Sequence, residues 1–387
     1  MTGVHPGLVD GPIYLDYNAT TPVDPAVTEA MLPYLTGGFG NPSSTHHYGT
    51  APRVALDDAR DQIRALLGTE GGQVVFTGSG SEADNLAIRG AVLAASRDRR
   101  QVITQCTEHP AVLAACQALR RWHDVEVITL PVTGEGLVDP AELEAAITPR
   151  TALVSIMAAN NETGAVQPVP ELAAIAHEHG ALMHCDAAQA VGKIPVQVTG
   201  LDVDLLTLVG HKMYAPKGIA VLWVRPGVRL EPLVYGGGQE HGMRAGTENV
   251  ALTAALGAAA RLADADAPDR IQMLRDRLHT TLVDALPERV ALNGPVQARL
   301  PNTLNLSIRG VTGHELLAAV PEIAASTGSA CHSGSHQPSP VLTAMGLGTD
   351  RSLSAVRLSL GRWTTTGDVD RAAESIASAC RTRMRTS

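Results

Sequence analysis

From about residue 50 to residue 225, short apolar runs alternate with amphipathic stretches. Apolar positions at helical spacing predict helices over 51–67, 82–95, 111–122, 140–146 and 170–179. Short apolar runs predict strands over 73–76, 101–104, 126–130, 152–157, 181–185, 205–209 and 219–224. Alternation of the two kinds predicts an α/β fold with a mostly parallel sheet of seven strands, covered by helices on both faces. Ligands of such sheets bind beyond the carboxyl ends of the strands, so chemistry is expected just after these runs. Near residue 260 the texture changes. An amphipathic stretch over 265–286 is placed to connect two domains, followed by strand-like pieces at 302–308 and 355–360 and a final helix over about 367–383. The expected organisation is a large domain over 16–262 and a smaller α+β domain made of 1–15 and 263–387.

Composition narrows the class. Of the 387 residues, 44% are hydrophobic, enough to build real cores. The net charge of −9 lacks the basic footprint of a protein that binds a nucleic acid backbone. Five cysteines, an odd number with no C-x-x-C pair, argue against a disulfide framework or a structural zinc site. The N-terminus lacks a leader pattern, and no apolar run has the length that crosses a bilayer. A reducing cytoplasm is the expected compartment.

Three strand ends carry candidate chemistry. The first strand runs into Thr77-Gly78-Ser79-Gly80-Ser81-Glu82 before a helix begins. Glycines there let N–H groups approach a phosphate, and the helix N-terminus favours negative charge. The competing account is a tight turn with Ser81 as the N-cap. A resemblance of this stretch to a dinucleotide fingerprint lacks the acidic partner after the next strand. Asp186 ends the 181–185 run, where a carboxylate can hold a pyridoxal ring nitrogen protonated and so make the ring an electron sink; the alternative is an N-cap. Lys212 follows the 205–209 run, where desolvation lowers an amine's pKa and makes it nucleophilic toward an aldehyde. The order of phosphate loop, ring-nitrogen acid and Schiff-base lysine is far more specific than any one of them.

Two further residues complete the set. Cys331 lies in Ser326-Thr-Gly-Ser-Ala-Cys331-His-Ser-Gly-Ser335, small residues that suit a thiolate visiting a cofactor and leaving again, with His332 and His336 able to lower its pKa. Arg357, inside an apolar run, demands a partner: a substrate carboxylate or an internal Asp or Glu. His177, His179 and His184 do not share a face and are read as core and surface histidines rather than metal ligands.

The stretches Tyr14-Leu-Asp-Tyr-Asn-Ala-Thr-Thr-Pro22, Gly40-Asn-Pro-Ser-Ser44, Thr107-Glu-His109, Asn160-Asn-Glu-Thr-Gly164, Asp186-Ala-Ala-Gln189, Gly210-His-Lys212, Gly236-Gly-Gly-Gln-Glu240, Arg244-Ala-Gly-Thr247 and Arg357-Leu-Ser-Leu-Gly361 resemble, in order, the NifS-like cysteine desulfurases. These belong to the class V aminotransferase group with the pyridoxal-phosphate (PLP) transferase fold type I. The resemblance implies PLP as cofactor, with Gly80, Ser81 and His211 at its phosphate, His109 stacked on the ring and assisting proton transfer, Asp186 on the ring nitrogen and Gln189 on the phenolic oxygen. It implies Lys212 as the Schiff-base lysine, Asn41, Asn160 and Arg357 at the substrate, and Cys331 as the residue that takes the sulfur. It also implies a homodimer in which Thr247 reaches the partner's cofactor phosphate, and a sulfur-acceptor protein docking near the Cys331 loop. Acceptors of such donors include iron–sulfur scaffolds, tRNA thiolation enzymes, DNA sulfur modification and natural-product pathways.

One position departs from that pattern. The desulfurases usually carry a serine two residues before the histidine of the histidine–lysine pair, and here Val209 stands there without a donor. Thr207, one pleat earlier on the same face, is the candidate substitute. Val209-Gly-His-Lys212 and Ala330-Cys-His-Ser333 followed by Gln337-Pro-Ser-Pro340 look like the selenocysteine lyases, so L-selenocysteine stands beside L-cysteine as substrate. A non-catalytic scaffold in sulfur transfer predicts a broken residue set, which Lys212, Asp186, His109 and Cys331 do not form. An ordinary aminotransferase or a kynureninase-like hydrolase has no need of Cys331.

Overall fold

The structure is a computed structural model and describes residues 4–263, 268–328 and 337–386. Its strands, in chain order, are β1 (Ile13–Tyr14), β2 (Gln73–Thr77), β3 (Gln101–Gln105), β4 (Glu126–Leu130), β5 (Thr151–Ser155), β6 (Leu182–Asp186), β7 (Leu205–Val209), β8 (Ala220–Val224), β9 (Val290–Leu292), β10 (Thr303–Ile308), β11 (Ile323–Ala324) and β12 (Ala355–Ser359). Seven of them form one sheet in the order β2-β8-β7-β6-β5-β3-β4. All pairs in it are parallel except those made by β8, which runs antiparallel to β2 and β7. Every residue of β3, β5, β7 and β8 is buried, as a sheet covered on both faces requires.

Helix starts follow local chemistry. Asp24, His109 and Asp139 each cap a helix whose first residue is a proline, and each side chain accepts a backbone N–H two residues on. Two helices carry too little amphipathic signal to be read from the sequence. Pro25–Thr36 holds a proline in its interior. Val250–Arg261 is almost all Ala, Leu and Val and is buried along most of its length, so no polar stripe marks it. The amphipathic stretch after it is helical over Pro268–Ala285, and the start expected at 265 falls outside the described residues.

The remaining strands form a three-stranded antiparallel sheet, β12-β10-β9, and the parallel pair β1–β11. A separate apolar core, with Leu15, Leu278, Leu306, Leu358 and Ile376, lies under these strands. Asp16 bridges to Ser359 at the end of β12, and five residues on Thr21 bonds to the His211 carbonyl beyond β7, so the N-terminal segment runs from this second core to the large sheet. No helix among the described residues is long and apolar enough to cross a membrane.

The helix Val250–Arg261 packs on His47–Leu66 through small residues. A β-carbon on Gly257 would lie 2.9 Å from Ala59. Gly257→Val is therefore expected to destabilise the fold by about 1–3 kcal/mol through overpacking, read as a lower urea midpoint with an unchanged transition slope.

Candidate active site

The carboxyl ends of the parallel strands converge on one edge of the large sheet. Asp186 is the last residue of β6, Lys212 closes a short turn (Gly210–Lys212) after β7, and His109 caps the helix that follows β3. A cavity of about 420 Å³ opens there, within the usual range for a small-molecule site. Gly80, Ser81, His109, Asp186, Gln189 and Lys212 line it, together with Ser326, Gly328 and Arg357 from the later part of the chain.

Lys212 is mostly buried, and its Nζ donates to the carbonyls of Asn18 at 2.6 Å and Ala19 at 2.7 Å. Burial, and then the Arg357 charge, lower its pKa from 10.5 to about 8, against the opposing pull of Asp16 and Asp186. A substantial neutral fraction near pH 8 is the nucleophilic form. Asn18, fully buried, is a hub that the sequence did not single out. Its carbonyl also accepts from Gln189 Nε2 at 2.9 Å, and its side chain bonds to Thr303 Oγ1, Asn161 O and Asn302 Nδ2.

Asp186 sits over a buried polar cluster. Its Oδ1 accepts from Ala188 N at 2.9 Å, and burial raises its pKa while that N–H, His109 and Lys212 lower it. Asp84 and Glu108 nearby are pushed well up, first by burial and then, for each, by the Asp186 charge. Burial works against charge on all three, and Asp186 is the one on which neighbouring groups, His109 and Lys212, act electrostatically in the opposite direction. His184, behind Asp186 on the same strand face, is bonded to Ser155 at 2.8 Å and Thr207 at 3.1 Å. Its burial holds it neutral, with a pKa of about 3. Thr207 is thus committed inside the core, bonded to His184, and does not line the cavity as a substitute donor; Val209 lines it instead.

The 78–81 turn corrects one expectation. Ser79, not Ser81, is the N-cap of the helix Gly80–Ala94, its Oγ accepting from Glu82 N at 3.1 Å. Gly80 and Ser81 thereby become the first two helical residues, whose N–H groups have no acceptor within the helix. The turn is braced from behind: Glu82 accepts from Gly78 N with one oxygen and from Arg244 Nε with the other, both at 2.8 Å. A β-carbon on Gly80 would stand 2.6 Å from Val209 Cγ2, so the two positions are sterically linked. His211, its Nδ1 3.1 Å from Thr20 Oγ1, is lowered to a pKa of about 4 by burial and by Lys212.

His109 Nδ1 accepts from Ala111 N at 3.2 Å, which leaves Nε2 to carry the proton of the neutral ring. Desolvation lowers its pKa, opposed by Asp186. Arg357 finds the internal partner that was one of its two expected fates: Nη2 lies 2.7 Å from Asp16 Oδ1, and Nη1 donates to Asn161 O. Nη1 and Nη2 each carry a second N–H beyond those two bonds, so the guanidinium, which lines the cavity, retains donor capacity.

Some expected residues are not brought to the cavity. Asn160 is buried, its Nδ2 donating to Thr107 O and its Oδ1 accepting from Glu162 N and Thr163 N, and the cavity wall is formed by Asn161 instead. Asn160 therefore braces the turn beside His109 rather than facing a substrate. Asn41 and Thr247 are exposed and outside the cavity. Cys331 lies outside the described residues. The flanks of its segment are anchored together, since Glu162 accepts from Ser339 Oγ at 2.6 Å and packs where a Gly328 β-carbon would be. Asn18, Asp16, Glu82, Arg244 and Glu162 act through partners far away in sequence, and only membership of quoted motifs could have marked them.

A buried carboxylate, a depressed amine and a glycine turn offering N–H groups make a donor set that fits an anionic, nitrogen-containing aromatic aldehyde. The Aminotransferase class-V family model matches residues 13–372. A cysteine desulfurase of Trichormus azollae is 49% identical over 94% of this chain and 91% of its own length. A solved NifS-like protein aligns with a TM-score of 0.88 at 33% identity, covering 95% of this chain and 98% of that one. A solved structure of SspA in complex with cysteine aligns at 0.81 with 34% identity, over 91% and 99% of the two chains. The chain belongs to the class-V aminotransferase family and, within it, to the NifS-like cysteine desulfurases.

Proposed function

We propose that this protein is a PLP-dependent cysteine desulfurase that converts L-cysteine to L-alanine and leaves the sulfur as a persulfide on Cys331. The observation that carries the reading is that Asp186, Lys212 and Gly328 line one cavity, and Gly328 stands three residues before Cys331. Three residues span about 10 Å when extended, so the thiol is tethered within reach of that cavity. The relatives named cysteine desulfurase and the cysteine-bound SspA structure support the choice of substrate.

When bound, PLP supplies an electron sink that acidifies the Cα–H of an attached amino acid. Asp186 would hold the ring nitrogen, the N–H groups of Gly80 and Ser81 with His211 would hold the phosphate, Gln189 would donate to the phenolic oxygen, and His109, with its proton on Nε2, would meet the ring. Arg357 takes the substrate carboxylate, using donor capacity that Asp16 and Asn161 do not consume. Lys212, as the free amine, moves the proton at Cα. The Cys331 thiolate attacks the substrate sulfur: an S–S bond forms, the Cβ–S bond breaks and its electron pair stays on Cβ, which takes up the one proton released when the Cys331 thiol ionised, while Cα regains the proton that Lys212 removed, giving alanine.

The working unit proposed is a homodimer. Leu32, Leu35, Tyr48 and Val54 are exposed on the two helices that pack against Val250–Arg261, Phe39 is exposed in the loop between those two, and Thr247 lies just before the third helix. A patch of this kind supports a protein interface, and it adjoins the residue read as reaching the partner's phosphate. Each chain is read as a large domain over 16–262 and a small one of 1–15 and 263–387, and the separate apolar cores support that division. Free thiols at Cys106, Cys116, Cys185 and Cys380 suit a reducing compartment.

Three outcomes test this reading. Comparing kcat/KM for L-cysteine and L-selenocysteine, cysteine turnover is expected in the wild type and is expected to fall by at least about 10³-fold in Cys331→Ala. Negligible cysteine turnover with reductant and acceptor, beside robust selenocysteine turnover, would assign the chain to the lyases instead. Cofactor uptake by the apoprotein, followed by absorbance, is expected to speed up with pH and level off above about 8, the value to which Lys212 is lowered. Arg357→Leu removes a cation that disfavours the ammonium, so the inflection is expected to move up in pH. Gly80→Ala is expected to weaken PLP binding by about tenfold or more through collision with Val209. Val209→Ala in the same chain is expected to recover most of that loss, as measured by equilibrium titration.

A further inference from the structure

Lys193 lies four residues after Gln189, half-buried beside the cavity. Its Nζ is 2.5 Å from Gln189 Oε1 and 3.3 Å from Asn18 Oδ1. An ammonium has donors and no acceptor, so the atom of the Gln189 carboxamide that faces it must be the oxygen. The NH2 end is thereby turned the other way, toward Asn18 O at 2.9 Å and the cavity that Gln189 lines. Asn18 is oriented by the same logic. Its Oδ1 accepts from Lys193 and from Asn302 Nδ2 at 3.0 Å, and its Nδ2 donates to Thr303 Oγ1 at 2.8 Å and Asn161 O at 3.1 Å.

This orientation has a chemical consequence. A phenolic oxygen carrying negative charge needs a donor facing it, and a carboxamide flipped end for end would present its own lone pairs. The two orientations of a free glutamine differ little in energy; here the choice is made at both ends, the Asn18 carbonyl taking the NH2 and the Lys193 ammonium, on a side chain, taking the oxygen.

We propose that Lys193 is a positioning residue that locks the Gln189 carboxamide with its N–H groups toward the cofactor's phenolic oxygen. The inference rests on the reading of Gln189 as the residue that faces that oxygen. Lys193 acts through Gln189 and touches neither the substrate nor the ring.

The readout is the pH midpoint of the visible band of the PLP-loaded protein, which follows the proton shared between the phenolic oxygen and the Lys212 nitrogen. A donor on the oxygen draws off its charge and lowers that midpoint. Gln189→Ala is expected to raise it, and Lys193→Met is expected to raise it in the same direction by roughly half a unit to one unit. Lys193→Arg keeps the donors and is expected to restore the wild-type midpoint. In Lys193→Met/Gln189→Ala the midpoint is expected to match Gln189→Ala alone, because the lysine then has nothing to orient. Asp186, His109, His211, Lys212 and Arg357 line the same cavity and are unchanged in every variant. Thermal unfolding confirms the fold of each, and Lys193→Ala replaces the methionine variant if that one does not fold. An unmoved midpoint in Lys193→Met overturns the proposal. So does an equal further rise when Gln189 is already absent, which would make Lys193 a through-space charge. An unmoved midpoint in Gln189→Ala would instead overturn the reading of Gln189 itself.

Discussion

An amine withdrawn from water and held by two peptide carbonyls is the constraint around which this site is arranged. Burying the Lys212 ammonium costs free energy that the carbonyls of Asn18 and Ala19 offset only in part, and its pKa falls accordingly. Those carbonyls come from a segment far away in sequence. They must be brought to the end of β7 and kept there. The long-range hydrogen bonds of Asn18, to Asn161, Thr303 and Asn302, serve that end.

The same segment connects the two cores. Leu15 lies in the smaller core, Asp16 bridges to Ser359 and pairs with Arg357, and Thr21 bonds to the His211 carbonyl. Lys212, Arg357 and the anchor of the small sheet are therefore connected through residues 15–21. A shift of the small sheet would be felt at Lys212 through Asn18 and at the substrate end through Asp16. This explains why cavity residues from widely separated segments of the chain can form one site.

Much of the frame was legible because buried parallel strands read as uninterrupted apolar runs, and the residue that follows such a run must face the ligand edge. Asp186 and Lys212 were identifiable on that ground, whereas His109 was marked only by the motif Thr107-Glu-His109. Ser79 was misjudged against Ser81 because one residue of helix phase decides which serine is the cap, and the backbone sets that phase. Asn160 was taken for a substrate ligand from motif position alone, whereas its amide is consumed by its own turn. The roles of Asp16, Asn18 and Lys193 lie in which atom faces which, and no periodicity encodes that. Val250–Arg261 was missed for a different reason: a helix apolar on every side has no stripe to betray it.

Borohydride reduction of the PLP-loaded protein, followed by peptide mapping, tests the central claim most directly, because reduction fixes the cofactor to the nitrogen that holds it. The account expects one pyridoxyl group per chain, on Lys212. A label on Lys193 or Lys217, whose amines also lie near the cavity residue His211, or stoichiometric binding with no fixed label, would contradict it.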